Sequence, residues 1–180
     1  MHKLANWIPI FLCLFLGCQK KNSKEKTEPA SISSGLEVKD RLGEGMNFPH
    51  VTVADQLGSR YDLYNLLNKP NNIVLLIDAT CPACADEGKM IQNFLHGNTA
   101  ANLVGVSPDS LPAILEFKKK NGIFFPVLQD IEQKLVPDYR RVVFPTLVLV
   151  GPGRQIQKLY EGAIPPEEAE LFLRALLGLN

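Results

Sequence analysis

Residues Ile73-Val74-Leu75-Leu76-Ile77-Asp78-Ala79-Thr80-Cys81-Pro82-Ala83-Cys84-Ala85-Asp86-Glu87 constrain the fold more than any other stretch of the chain. Its first five residues are apolar, mostly β-branched or leucine, and predict a strand buried on both faces. After a short break, Met90, Ile91, Phe94 and Leu95 recur at helical spacing. Cys81 and Cys84 sit at the junction, where the predicted helix starts. Backbone N–H groups without intrahelical partners point outward there, and the helix dipole adds about half a positive charge at the same end. A thiolate is stabilised in such a place, so Cys81 is expected to ionise below the ordinary thiol value of about 8.5. One helical turn keeps the Cys84 sulfur within reach, so the pair can close and reopen a disulfide. The pattern points to redox chemistry.

With 180 residues, 46% of them hydrophobic, the chain has material for one sizeable core. Formal net charge is zero and no long charged block occurs, so the composition carries no nucleic-acid footprint. The start of the chain is a separate matter. Lys3 gives a positive beginning, Trp7 to Leu16 is apolar apart from Pro9, and Gly17-Cys18 closes the run. The run is shorter than the roughly 20 residues that span a bilayer but fits a secretory signal. A small residue before cysteine resembles the bacterial lipoprotein signal, in which the cysteine receives the lipid. Phe15 and Leu16 depart from the common form of that signal, and an ordinary signal peptide or an uncleaved anchor is the alternative. Residues 1–17 are therefore expected to leave, and Cys18 to carry the anchor. Residues 18–42, polar and poor in large apolar side chains, form the expected flexible tether, and 43–180 the folded domain. This places the protein in the bacterial cell envelope, on the periplasmic or extracytoplasmic side of a membrane.

Cleavage and lipidation would leave Cys81 and Cys84 as the cysteines of the folded domain, which excludes a structural disulfide framework. His50 and His96 lack metal-ligand spacing to the pair, so no metal and no organic cofactor is expected.

Along the domain, Val51 and Val53 alternate as a half-buried strand, Gln56-Leu57-Gly58 turns, and Tyr61 to Leu63 pairs back as a hairpin. A short helix over Tyr64 to Leu67 precedes the Ile73 strand and the cysteine helix. Leu103 to Val106 is a second buried strand. Asp109 or Ser110 caps a helix running to Asn121. Phe125 to Leu128 is a short extended piece, Ile131 to Val136 a helical turn or two, and Thr146 to Val150 a third buried strand. Gly151-Pro152-Gly153 turns the chain into Ile156 to Tyr160. Pro165-Pro166-Glu167-Glu168 opens a final helix. Strands separated by helices, ending in a hairpin and a covering helix, give an α/β fold with a mixed central sheet.

The segments Phe48 to Val53, Ile73 to Glu87, Val104 to Ser107, Phe125 to Asp130, Phe144-Pro145-Thr146 and Gly162 resemble, in order and spacing, the successive signatures of redoxin-type thioredoxin-fold proteins. The nearest likeness is to the TlpA/ResA-like membrane-anchored thiol–disulfide oxidoreductases, over about Gly45 to Leu177. The resemblance implies a thioredoxin-like central sheet flanked by helices, with an N-terminal hairpin and an inserted βα unit. It implies that Cys81 attacks, Cys84 resolves, and Pro145 is a cis-proline beside the disulfide. Thr80, Pro82, Phe144 and Pro145 would contact substrate. Glu87 matches the acid of a Cys-x-x-Cys-x-x-Glu pattern, one turn beyond Cys84, and would act as base; Asp78 competes for that role, and a first-turn acid also favours any helix. Thr80 stands where the family usually has tryptophan, and Leu75 where simple thioredoxins have a buried aspartate. The peroxiredoxin Pro-x-x-x-Thr-x-x-Cys signature is absent.

The function this implies is disulfide exchange with protein substrates, supported by an upstream redox partner, by a monomer held at the membrane through its lipid. A thiol peroxidase using the same cysteines, and a redox-sensing or copper-handling module using them as switch or soft ligands, are the alternatives.

Overall fold

The computed structural model describes residues 42–99, 101–136 and 138–179. The expected signal peptide, Cys18 and the tether as far as residue 41 lie outside the described residues. Among those described, strands β1 (Thr52–Ala54), β2 (Arg60–Asp62), β3 (Asn71–Leu76), β4 (Ala101–Ser107), β5 (Val127–Asp130), β6 (Thr146–Val150) and β7 (Ile156–Glu161) form one sheet, ordered β2-β1-β5-β4-β3-β6-β7. The neighbours β3 and β4, and β4 and β5, run parallel; the β1–β2, β1–β5, β3–β6 and β6–β7 pairs are antiparallel. Helices α1 (Pro82–Phe94), α2 (Leu111–Asn121) and α3 (Ala169–Leu177) complete an α/β fold with a mixed sheet.

Successive side chains of a strand point to opposite faces, so the apolar run of β3 feeds two cores at once. Ile73, Leu75 and Ile77 join Leu147 and Leu149 on the face that α1, α2 and α3 cover with Ile91, Ile114, Phe117, Leu173 and Leu177. Val74 and Leu76 join Val104, Val106, Val148 and Val150 on the other face, covered by Leu42 and by Phe48, Leu63, Leu135 and Tyr139 from loops and short 3₁₀ turns. Leu42, read from sequence as the end of the tether, is fully buried, so the core takes in that residue.

Two local expectations differ from the structure. Residues 131–136 form turns, not a helix. The buried carboxylate of Asp130 accepts from the amides of Lys134 (3.1 Å) and Leu135 (2.7 Å) and from the Tyr139 hydroxyl (2.7 Å). Those amides are what a helix ladder would otherwise use. The last helix begins at Ala169, not Pro165, because a residue before proline disfavours helical dihedrals and Pro166 follows Pro165. A turn carries the chain instead, with the Glu168 amide donating to the Pro165 carbonyl at 3.0 Å.

Candidate functional site

The end of β3 delivers the chain to the first turn of α1, and the connecting loop is tied on both sides. The Ile77 amide donates to the Val106 carbonyl at 2.9 Å, fixing the exit beside β4. The Ala79 amide donates to Asp109 Oδ2 at 2.7 Å, which also accepts from Ser107 Oγ at 2.8 Å. Asp78 Oδ1 accepts from the Thr80 amide at 2.7 Å and its hydroxyl at 2.5 Å, and the Cys81 amide donates to the Asp78 carbonyl at 3.1 Å. Asp78 thus builds the turn that presents Cys81.

Cys81 is the N-cap of α1, in extended backbone conformation, with Pro82 at the first helical position. Its Sγ accepts from the Cys84 amide at 3.1 Å. An otherwise orphan donor of the first turn therefore points at the sulfur, as a thiolate there would need. Cys81 and Cys84 are joined in a disulfide with their Cα atoms 5.3 Å apart. Cys81 is half-buried, whereas Cys84 has 0% exposure.

Glu87 lies on the same inward face of α1 as Cys84 and is 3% exposed. One oxygen, Oε2, accepts from the Ile164 amide at 2.9 Å; the other, Oε1, is buried without a hydrogen-bond partner. Loss of water raises its pKa from 4.5 to about 7, and the bond from Ile164 offsets only part of that. The group sits where a proton can be taken or given near neutrality. Asp86, its neighbour, is exposed and pairs with Lys89 Nζ at 3.1 Å.

The third part of the site comes from β6. The Phe144–Pro145 peptide is cis, and Pro145 is buried. Register pairs Thr146 with Leu76, so this turn lies beside the end of β3. The Pro145 carbonyl accepts from the amide of Gly162 at 2.8 Å, where φ is +91°, a conformation that suits glycine. Phe144 packs against the apolar cluster that contains Cys84 and that Ala79 and Cys81 also touch, and its ring stacks on Tyr139 at 6.4 Å. Thr80 and Pro82 are exposed at the rim. The residues singled out in the sequence from Thr80 to Glu87 and at Phe144–Pro145 therefore converge on one end of the sheet. Cys18 is outside the described residues.

A cleft of about 520 Å³ opens beside Cys81, between α1 and α2, with Thr80, Pro82, Glu116, Phe117 and Lys120 in its lining. Sequence reasoning gave Glu116 and Lys120 no role and took Asp109 only as a helix cap. The Ser107-Pro108-Asp109 step at the end of a buried strand is the signal that could have found Asp109. The Ile164 amide has no sequence signal, because a backbone donor is specified by the fold alone. Among the described residues, no group of three or more His, Cys, Asp or Glu side chains is placed to hold a metal ion.

Comparison with known proteins agrees with this fold. Thiol-disulfide oxidoreductase ResA of Bacillus subtilis is 27% identical over 130 residues, 70% of this chain and 72% of that protein. The thioredoxin domain of a thiol-disulfide oxidoreductase from Bacteroides vulgatus superposes with a TM-score of 0.63 at 18% identity, covering 76% of this chain and 99% of that one. Peroxidoxin BcpB from Mycobacterium tuberculosis superposes at 0.61 with 18% identity, covering 75% and 96%. The AhpC/TSA family model matches residues 45–159, which includes the cysteine pair, the turn before β6 and most of the sheet, and the chain belongs to that family.

Proposed function

We propose that the protein is a thiol–disulfide oxidoreductase of the cell envelope, anchored by lipid on Cys18 and exchanging disulfides with protein substrates through Cys81 and Cys84. The carrying observation is the asymmetry of the pair: Cys81 caps a helix and is partly exposed, and Cys84 is wholly buried one turn further on. In the reducing direction, the Cys81 thiolate attacks one sulfur of a substrate disulfide and expels the other as a thiolate. Cys84, losing its proton to Glu87, attacks Cys81 Sγ in the mixed disulfide, so the substrate leaves as dithiol and the enzyme's disulfide closes. Two electrons pass to substrate, and an upstream redox partner returns them. The oxidising direction runs the same steps backwards. Thr80 and Pro82 line the cleft with Cys81, and Phe144 packs against the cluster that Cys81 also touches; these and Pro145 would guide the substrate chain, without metal or organic cofactor. The engagement of Asp78 by Thr80 supports Glu87 over Asp78 as the base.

The test is reduction of insulin by the pre-reduced full chain, compared with its consumption of hydroperoxide. Rapid insulin reduction with slow peroxide turnover is expected. Peroxide turnover faster than disulfide exchange would favour the thiol peroxidase reading, toward which the family match and the peroxidoxin likeness lean.

Anchoring rests on the apolar run ending at Gly17-Cys18 and on the polar stretch that follows it; among the described residues no helix is long and apolar enough to cross a membrane. Expressed in a bacterium, the full chain is expected in the detergent phase on phase separation, and Cys18→Ala in the aqueous phase. A wild-type protein already in the aqueous phase would remove the anchor from this reading.

A further inference from the structure

We infer that the cleft between α1 and α2 is a binding site for low-molecular-weight disulfides carrying a free amino-acid head group beside the sulfur, of the cystine type. This rests on the exchange chemistry just proposed and adds a second substrate class to it.

The cleft has Cys81 in its lining, so whatever fills it lies beside the residue that attacks. Strands β3 and β4 are parallel, so α1 and α2 both start at the Cys81 end of the sheet and run back from it. Positions along α2 therefore lie progressively farther from the Cys81 end of the sheet: Ala113, then Glu116, then Lys120. Four residues of helix place Glu116 and Lys120 about 6 Å apart along the axis, on one face. Neither Glu116 nor Lys120 takes part in an ion pair found among the described residues. Both are exposed, and the attraction of an exposed i, i+4 pair for one another is weak, so a ligand bearing both charges displaces nothing costly.

An α-ammonium and an α-carboxylate on one carbon, two bonds from a sulfur, present the opposite charges: the ammonium meets Glu116 and the carboxylate meets Lys120. Apolar contacts from Ala85 and Phe117 line the floor for the methylene groups. At about 520 Å³ the cleft falls within the range of small-molecule sites, and its place between two helices suits one compact molecule better than the surface of a folded partner. The step balances with the enzyme's own dithiol as reductant. Cys81 thiolate attacks the disulfide and releases one small thiolate. Cys84 thiolate then attacks Cys81 Sγ and releases the second, leaving the Cys81–Cys84 disulfide and two small thiols once protons are taken up.

The experiment measures second-order rate constants for oxidation of the pre-reduced full chain by four disulfides, counted by thiol alkylation and mass spectrometry. Hydroxyethyl disulfide carries no charge, cystamine only ammonium groups, dithiodiglycolate only carboxylates, and cystine both. Each rate is divided by that of the same disulfide with free dithiothreitol, which removes differences in intrinsic reactivity. Cystine is expected to exceed hydroxyethyl disulfide by about tenfold, with each single-charge compound about threefold above it, as two independent exposed charge contacts would give. Glu116→Gln should abolish the advantage of cystamine and leave that of dithiodiglycolate, and Lys120→Gln the reverse. Equal normalised rates for all four disulfides in the wild type would overturn the inference, and so would a cystine advantage that survives in both variants. Insulin reduction that depends on both charges, without any cystine advantage, would also overturn it and would assign the cleft to a protein segment. In those cases, reaction with hydroxyethyl disulfide or insulin leaves the exchange chemistry standing. Failure to react with every disulfide would overturn both.

Discussion

Cys84→Ser is expected to stop the reaction half-way, accumulating protein substrates joined to Cys81, whereas Cys81→Ser accumulates none. The reason lies in the first turn of α1. Cys81 Sγ receives the Cys84 amide at 3.1 Å and lies at the positive end of the helix dipole. A helix N-terminus favours the charged form of a thiol placed there, and so raises the fraction present as thiolate. Cys81 is also the sulfur a macromolecular substrate can approach, because Cys84 has 0% exposure. In Cys84→Ser the first attack therefore proceeds, but nothing resolves the mixed disulfide, and substrate stays attached. In Cys81→Ser the remaining thiol is buried and cannot reach a protein disulfide. The check is a non-reducing gel of alkylated lysates, with the bands identified by mass spectrometry. At least tenfold more mixed disulfide with Cys84→Ser is expected. Equal trapping by the two variants would reverse or dissolve the division of labour.

Much of this was legible in the sequence because it depends on local features. The apolar run at Ile73–Ile77 specifies a two-faced strand whichever neighbours it acquires, and the cysteine spacing then places Cys81 at a helix start and Cys84 a turn inside. The prolines punctuate in the same local way, as at Pro82. What the sequence left unread depends on contacts distant along the chain or on competition for backbone donors. Asp130 looks like an ordinary strand-end acid until its burial and its three donors are seen, and only then does the absence of a helix over 131–136 have a cause. Asp109 had a local reading as a cap, but its carboxylate is spent on Ala79, thirty residues earlier. The environment of Glu87 is set by Ile164, seventy-seven residues later. Spacing could put the acid on the face of Cys84; whether it was dry was decided by where the chain after β7 crosses.

Glu87→Gln is expected to stabilise the oxidised protein above neutral pH while slowing the resolving step. Burial holds the Glu87 pKa at about 7, against 4.5 for the free group. Between those values the folded protein keeps a proton that the unfolded chain has already lost, so the fold binds more protons and its stability falls as pH rises through the window. Below pH 4.5 both states are protonated and the effect vanishes; above 7 both are ionised and the full cost of a buried charge remains. The difference of 7 − 4.5 = 2.5 pH units is worth about 3 kcal/mol. Glutamine keeps the shape and can still accept from the Ile164 amide through its carbonyl, but it has no charge to bury. Denaturant unfolding of the oxidised proteins should therefore show similar stabilities near pH 4.5 and a gap growing to about 3 kcal/mol by pH 8, in favour of the variant. The same substitution removes the base for Cys84, so single-turnover resolution of a mixed disulfide at pH 7 should slow by about 10–100-fold, while attack by Cys81 on the first disulfide hardly changes. The two readouts separate two claims. Parallel stability curves from pH 4.5 to 8 would mean that the carboxylate is not desolvated. A full stability gap with wild-type resolution would mean that it is buried but idle, and Asp78→Asn would then be the variant expected to slow the step.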